Sequence, residues 1–245
     1  MKGRVALVTG ATGGLGTAMC KKLYQDGYKV VGNYHTKEKA DKWMQQMKSE
    51  GFDIPLFYGD VSDFNSAKSM IEQIEKEVGP IDILVNNAGI TRDTRLIKMT
   101  YEQWDAVIKT NLYSVFNCTR NVIEKMIERK FGRIINISSV NGQRGQIGQC
   151  NYSAAKAGMH GFTKSLALEV AKYGITVNTI SPGYVATDMV MAVREDILAK
   201  IIEQIPVGRL GGTHEIAFLV SFLASDEASF ITGANYSING GQHMY

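Results

Sequence analysis

Cysteine, proline and tryptophan are scarce in this chain of 245 residues, which holds three, four and two of them. The cysteines, Cys20, Cys118 and Cys150, are odd in number and far apart. That fits neither a disulfide framework nor a zinc site, and it points to a reducing, cytoplasmic setting. The prolines fall at turns or element edges, and no Pro/Ser-rich linker interrupts the chain, so residues 1–245 read as one domain. Charge of one sign is also lacking. Lys and Arg number 27 against 24 Asp and Glu, a net +3 with no basic block longer than a pair, which argues against a nucleic-acid partner. No apolar run approaches the ~20 residues of a membrane helix, and the start MKGRVALVTG lacks the apolar core of a signal peptide, so no membrane association is expected. The histidines, His35, His160, His214 and His243, lack metal-ligand spacing, and no metal is expected.

What is abundant is apolar sequence, 44% of residues, and glycine, 25 in all, the balance of a soluble globular protein. Apolar, β-branched runs read as strands at Arg4–Thr9, Lys29–Asn33, Ile54–Tyr58, Ile81–Asn86, Gly132–Ser138, Ile175–Ser181 and Asn235–Ile238. Between them lie stretches of helical period, such as Tyr101–Arg129 with Trp104, Ile108, Leu112, Val115, Phe116 and Thr119 three or four apart. Strands that are apolar throughout require a sheet covered on both faces, and their alternation with helices specifies a doubly wound α/β fold with a parallel sheet.

The first strand runs into Thr9-Gly10-Ala11-Thr12-Gly13-Gly14-Leu15-Gly16 and then an amphipathic helix. Glycines there permit unusual φ values and a close backbone approach, and the helix N-terminus offers unpaired N–H groups to a pyrophosphate. Simple tight packing is the alternative. The tip of the second strand, which selects between dinucleotides, reads Gly32-Asn33-Tyr34-His35-Thr36-Lys37 and carries no acid. Tyr34, Thr36 and Lys37 would accept a 2′-phosphate, favouring NADPH over NADH. An ordinary solvated helix start is the other reading. Asp60, followed by Val61 at the end of the third strand, is placed to bond an adenine amine or to cap the next helix. Asn87, Ala88 and Gly89, after Asn86, are small enough to let a ribose lie against the backbone.

Tyr152 and Lys156 stand four apart on an expected helix, hence on one face. A cation ~5 Å from a phenol at an effective dielectric of ~20 is worth ~3 kcal/mol, or ~2 pKa units, which predicts a lowered acidity for Tyr152 as proton donor. Ser139 ends the fifth strand at the carboxyl edge, where open α/β sheets place ligands, and its hydroxyl is placed to hold a carbonyl oxygen.

The set T-G-x-x-x-G-x-G at Thr9–Gly16, N-N-A-G at Asn86–Gly89, Ser139, Tyr152-x-x-x-Lys156 and Pro182-Gly183 resembles the short-chain dehydrogenase/reductase family over essentially the whole chain. The resemblance implies a Rossmann-type domain with a seven-stranded parallel sheet, a homotetramer, and Tyr152 as general acid. It makes Ser139 the carbonyl anchor and Lys156 both a cation near the phenol and the holder of the nicotinamide ribose. It assigns Asn111 to a water relay reaching the lysine, a buried asparagine satisfied by backbone being the alternative, and it assigns Pro182, Gly183 and Thr187 to closure over the nicotinamide. One departure is Gly13, where NADPH-dependent members often carry Arg or Lys.

Within the family the chain is similar to the β-ketoacyl thioester reductases. Among these it is closer to the reductases that turn acetoacetyl-CoA into (R)-3-hydroxybutyryl-CoA for polyhydroxybutyrate synthesis than to those serving acyl-carrier proteins. On that likeness Asp93, Gln146, Gln149 and Tyr184 join Ser139 around the substrate, and Val185–Gly211 forms a lid whose Met189, Val190, Met191, Val193, Ile197 and Leu198 make an apolar wall. The alternatives are a carrier-protein-linked reductase and a dinucleotide-binding sensor without chemistry.

Overall fold

The computed structural model describes residues 3–244, except for the side chain of Met189. Seven strands form one parallel sheet: β1 Val5–Val8, β2 Lys29–Tyr34, β3 Leu56–Tyr58, β4 Ile81–Asn86, β5 Gly132–Ile137, β6 Ile175–Pro182 and β7 Asn235–Ile238, in the order β3-β2-β1-β4-β5-β6-β7. Chain order reverses between β1 and β4, which opens a crevice at the carboxyl ends of those strands. The strand boundaries match the apolar runs closely except at β3. There Pro55 has no N–H to give the ladder, and only its carbonyl pairs, accepting from Gly32 at 2.9 Å, so regular pairing starts one residue later.

Helices cover both faces. One core lies between the sheet and α1 Gly14–Gln25, α2 Lys37–Ser49 and α10 Thr213–Ala224, with Met19, Leu23, Trp43 and Leu223 buried in it. The other lies beneath α3 Phe64–Glu77, α5 Ser114–Arg129 and α7 Cys150–Val170, filled by Met70, Ile74, Val122 and Met126. Local chemistry sets the helix starts. Asp63 caps α3 by accepting from the Ser66 N–H at 2.7 Å, and Thr100 with Gln103 forms a capping box at α4 Tyr101–Ile108. The expected single helix over Tyr101–Arg129 is interrupted: α4 passes through a π-helical turn, Lys109–Tyr113, before α5 resumes. The extra residue per turn brings Asn111 fully inside. Two short helices, α8 Asp188–Met191 and α9 Glu195–Glu203, lie between β6 and α10, and α6 Val140–Arg144 links β5 to α7. Among the described residues no helix is long and apolar enough to cross a membrane.

The glycines after β1 divide their tasks. Only Gly10 has positive φ, +62°, where the chain turns out of the strand. Gly16 serves packing: a side-chain carbon there would sit 2.3 Å from the Gly10 carbonyl oxygen. Gly13, at φ −83° with nothing nearer than 3.6 Å, has room for one. Gly16→Ala is therefore expected to lower the unfolding free energy by about 1–3 kcal/mol. Gly13→Ala, which meets no clash but puts alanine at the N-cap of α1, should cost less, about 0.5–1 kcal/mol. Equal losses for the two variants in urea titrations would contradict this division.

Candidate active site

The glycine turn forms an open cradle at the carboxyl end of β1. Gly13 and Gly14 are exposed, and no side chain caps α1, so the N–H groups of its first turn remain for a ligand or solvent. Side chains hold the turn from behind. Buried Asn33 on β2 accepts from the Gly10 N–H at 3.2 Å and donates to the Gly59 carbonyl at 2.9 Å. Thr9 Oγ1 accepts from the N–H groups of Asn87 and Ala88 at 2.9 and 3.0 Å, while the Asn87 amide donates to the Thr9 and Gly10 carbonyls at 2.9 and 3.2 Å. Asn87 Nδ2 thereby joins the two turns, and Ala88 and Gly89 beside it are the small surfaces. Thr187 lies over the cradle, since a carbon added at Gly14 would come within 3.2 Å of its Cγ2. An uncapped helix start, a glycine edge and a threonine across it fit the pyrophosphate of a dinucleotide.

At the tip of β2, Thr36 is the N-cap of α2 with no side-chain cap bond, Lys37 lies 3.7 Å from Asp41, and both are exposed. Tyr34 packs edge-on against Tyr58, ring centres 5.8 Å apart. Asp60 does not cap α3, a task Asp63 performs. Instead its Oδ1 accepts from the N–H and hydroxyl of Ser62 at 2.9 and 2.6 Å, and Oδ2 lies 3.9 Å from His35. Val61, next to it, is buried.

The reacting groups meet where β5 ends against α7. Four consecutive residues of the strand end reach the helix. Asn136 donates to Thr163 Oγ1 at 2.8 Å; the Ile137 carbonyl accepts from Lys156 Nζ at 2.7 Å; Ser138 Oγ donates to the Lys156 carbonyl at 2.8 Å; and a hydrogen bond links the hydroxyls of Ser139 and Tyr152. Lys156 is buried, its Nζ 5.6 Å from the centre of the Tyr152 ring. Gly89 leaves space beside it, since a carbon there would lie 3.6 Å from Nζ and 3.3 Å from Asn111 Oδ1. Asn111 is held by backbone: its Oδ1 accepts from the Ile90 N–H at 2.8 Å and its Nδ2 donates to the Ile90 carbonyl at 3.0 Å. These two bonds fix the chain after Gly89.

The titrations depart from the sequence expectation. Burial pushes the Tyr152 phenol above its ordinary value; the bond with Ser139 lowers it, and the proximity of Asp93 and Tyr184 raises it further. Burial likewise pushes Lys156 down to about 7, because an ammonium loses its hydration there. The predicted lowering of Tyr152 counted a full charge on Lys156 and omitted the desolvation of both groups.

Of the expected substrate residues, Gln149 and Asp93 are joined. Gln149 accepts from Asn141 Nδ2 at 2.9 Å and donates to Asp93 Oδ2 at 2.7 Å, and the Asn141 N–H donates to Ser139 Oγ at 3.1 Å. Both ends of the Gln149 amide are thus used within the protein, bracing Ser139. Gln146 is exposed on the loop before α7, and Tyr184 donates its N–H to Gln242 Oε1 at 3.1 Å. Gly183 packs on Asn239, whose Cα would lie 2.8 Å from an added carbon, and Pro182 closes β6. The segment expected as a lid is tied at its ends, Val185 bridging Gly211. Val190, Val193 and Leu198 are half-buried, Met191 and Ile197 are exposed, and the Met189 side chain lies outside the described residues. Sequence reasoning missed Asn33, Asn136, Ser138, Asn141 and Thr163, all buried. For Asn33, Asn136 and Ser138 the signal is a polar side chain inside an apolar strand run or at its end; Asn141 and Thr163 carry no such signal.

Comparison with known proteins agrees with this geometry. The family described as short chain dehydrogenase matches residues 4–198. The acetoacetyl-CoA reductase of Allochromatium vinosum is 57% identical over 244 residues, 99% of each chain, and that of Cupriavidus necator is 55% identical over 245 residues, the whole of both chains. The 3-oxoacyl-(acyl-carrier-protein) reductase of Salmonella typhimurium is 48% identical over 243 residues, 99% of this chain and 98% of its own. With the match spanning most of the sheet and every reacting group, the chain belongs to the short-chain dehydrogenase family.

Proposed function

We propose that the protein reduces the β-carbonyl of acetoacetyl-CoA with NADPH, forming (R)-3-hydroxybutyryl-CoA in polyhydroxybutyrate-type metabolism. The observation that carries the reading is the linked pair of hydroxyls, Tyr152 and Ser139, at the carboxyl edge of β5 beside buried Lys156. A sensor without chemistry has no use for that pair. The identity to acetoacetyl-CoA reductases, 55–57% for four of them and 49% for a fifth, against 48% for the carrier-protein reductase, supports a CoA thioester over a carrier-protein thioester. For the dinucleotide, the absence of an acid at Tyr34–Lys37 and the exposed Thr36 and Lys37 support a 2′-phosphate.

A reduced nicotinamide dinucleotide, when bound, supplies the hydride that the β-carbonyl carbon receives. The residues of the chain manage the oxygen. Ser139 donates a hydrogen bond to it, and Tyr152 transfers its phenolic proton to it as negative charge develops, so the product leaves as an alcohol. A phenol held above its ordinary value suits this direction: it stays protonated at neutral pH, and an alkoxide is basic enough to take the proton. Lys156 then lies nearest to return a proton to the phenolate, with its own acidity close to neutrality. Asn141, Gln149 and Asp93 keep Ser139 aimed, while Gln146 and Tyr184 border the entry for the acyl chain.

We also infer that residues 1–245 act as one domain, working in the cytoplasm as a homotetramer. Cys20 and Cys118 are buried free thiols and Cys150 an exposed one, which suits a reducing compartment. Exposed Tyr101, Tyr113 and Phe116 near α4 and α5, with Phe218 on α10, support self-association. Sizing chromatography with light scattering is expected to give a tetramer; a monomer would overturn that part.

Tyr152→Phe is expected to fold and bind NADPH but to lose turnover of acetoacetyl-CoA by about 10²–10⁴-fold. Retained steady-state activity would refute the assignment. On the wild type, faster turnover of longer β-ketoacyl carrier-protein substrates than of acetoacetyl-CoA would favour fatty-acid elongation instead.

A further inference from the structure

His160, on α7, takes no part in managing the carbonyl oxygen. It stands two turns beyond Tyr152 and one beyond Lys156, half-buried, and its Nε2 lies 3.3 Å from the hydroxyl of Ser181 near the end of β6. Ser181 is fully buried. Its hydroxyl gives its one proton to Asn235 Oδ1 on β7 at 2.7 Å, which leaves the imidazole as the donor to Ser181 and fixes hydrogen on Nε2. Burial and the Lys164 ammonium, one turn further on, push the imidazole below its ordinary value, so the ring is neutral at pH 7.

Polar rungs join α7 to β6. Thr163 meets Thr179 at 2.7 Å in the body of the strand, and His160 meets Ser181 near its end, the pairs one helical turn apart on α7 and two residues apart on one face of β6. Pro182 and Gly183 follow at once. Gly183 is fixed from β7, its N–H donating to the Ile238 carbonyl at 3.0 Å, and a carbon added to it would lie 2.8 Å from Asn239 Cα. Asn235 and Ile238 are the two ends of β7. The chain from His160 through Ser181 to Asn235, with the bond from Gly183 to Ile238, therefore brackets Pro182 and Gly183 between the helix that carries Tyr152 and the edge strand.

We infer that His160 is a positioning residue for hydride transfer: its Nε2–H, anchored on Ser181 and through it on Asn235, sets the distance between Tyr152 and the turn at Pro182 and Gly183. The inference rests on the reductase reading, in which that turn borders the nicotinamide, and deepens it. The proton for the carbonyl oxygen comes from the helix, whereas the hydride for its carbon comes from a ring seated by the strand end. Both must converge on one carbonyl, and a misplacement of about 1 Å costs up to about 10²-fold in rate. A rung at the residue before Pro182 controls that convergence, where the rung at Thr179 alone would leave the strand end free to tilt.

The test compares the wild type with His160→Leu, His160→Gln, Ser181→Ala and the double variant His160→Leu/Ser181→Ala. His160→Leu keeps apolar bulk and loses the donor. It should weaken NADPH binding, read by fluorescence without substrate, about fivefold, and lower kcat about 10–100-fold with KM for acetoacetyl-CoA held. His160→Gln, which keeps an N–H at similar reach, should recover most of both losses; a glutamine variant no better than the leucine one would overturn the role. Binding of 2′-phospho-ADP-ribose, which lacks the nicotinamide, should be the same for every protein, and a loss equal to that for NADPH would mean general damage and overturn the inference. Ser181→Ala should reproduce the defect. The double variant should be no worse than His160→Leu alone, since both changes remove one bond, and losses that multiply would contradict it. If His160→Leu does not fold, Ser181→Ala carries the same prediction on both ligands. Nitrogen NMR of the dinucleotide-free protein should show His160 protonated at Nε2 alone at pH 7, and hydrogen on Nδ1 alone would overturn the donor assignment. A wild type that binds NADPH but reduces no thioester would sink the functional reading, while the two ligand affinities still decide the role of His160.

Discussion

The seating of α7 on the last residues of β5 is the constraint from which the site's geometry follows. Asn136, Ile137, Ser138 and Ser139 each grip the helix, and each grip is buried or nearly so, where an unpaired polar group is expensive. A slip of one residue would rotate the helix by about 100° and take Tyr152 and Lys156 off the sheet edge together. The grip continues inward. Asn86 on β4 donates to Asn136 on β5 at 2.9 Å, and Thr163 on α7 meets Thr179 on β6 at 2.7 Å, so one buried polar chain crosses three strands and the helix. The strand that carries the nucleotide turn Asn86–Gly89 and the helix that carries the acid are held in one frame.

That burial also sets the protonation states. Removing water raises the phenol and lowers the ammonium, so both groups favour their neutral forms in the protein. For Lys156, a fall from 10.5 to about 7 corresponds to roughly 5 kcal/mol against the charged form, a stability that the fold forgoes below neutrality. As pH falls from the ordinary lysine value through the folded one, the unfolded chain gains its proton first, and the native state loses stability over that window. A site kept at such expense is consistent with selection for reactivity rather than for rigidity.

Much of this was legible in the residues. The strands announced themselves because a doubly covered sheet needs apolar side chains at nearly every position, as at Ile83, Leu84 and Val85 and at Ile134, Ile135 and Ile137. The reacting trio lay in a pattern of fixed spacing. What escaped notice was of three kinds. A periodicity over Tyr101–Arg129 averages across one extra residue, so the π turn that turns Asn111 inward left no mark. Polar braces such as Asn33, Ser138 and Thr163 follow no period, because each answers one partner across the fold. The sign of the Tyr152 shift was misread since a Coulomb argument made from spacing contains no burial.

The most direct measurement of the account is a pH titration of the Tyr152 ring by carbon NMR, with the protein labelled at tyrosine Cζ and Tyr152→Phe used to assign the signal. A phenol seated on Ser139 and desolvated should hold its proton through neutrality and ionise above its ordinary value of about 10. A midpoint between pH 6 and 8 in the dinucleotide-free protein would contradict the account and restore the lysine as the dominant influence.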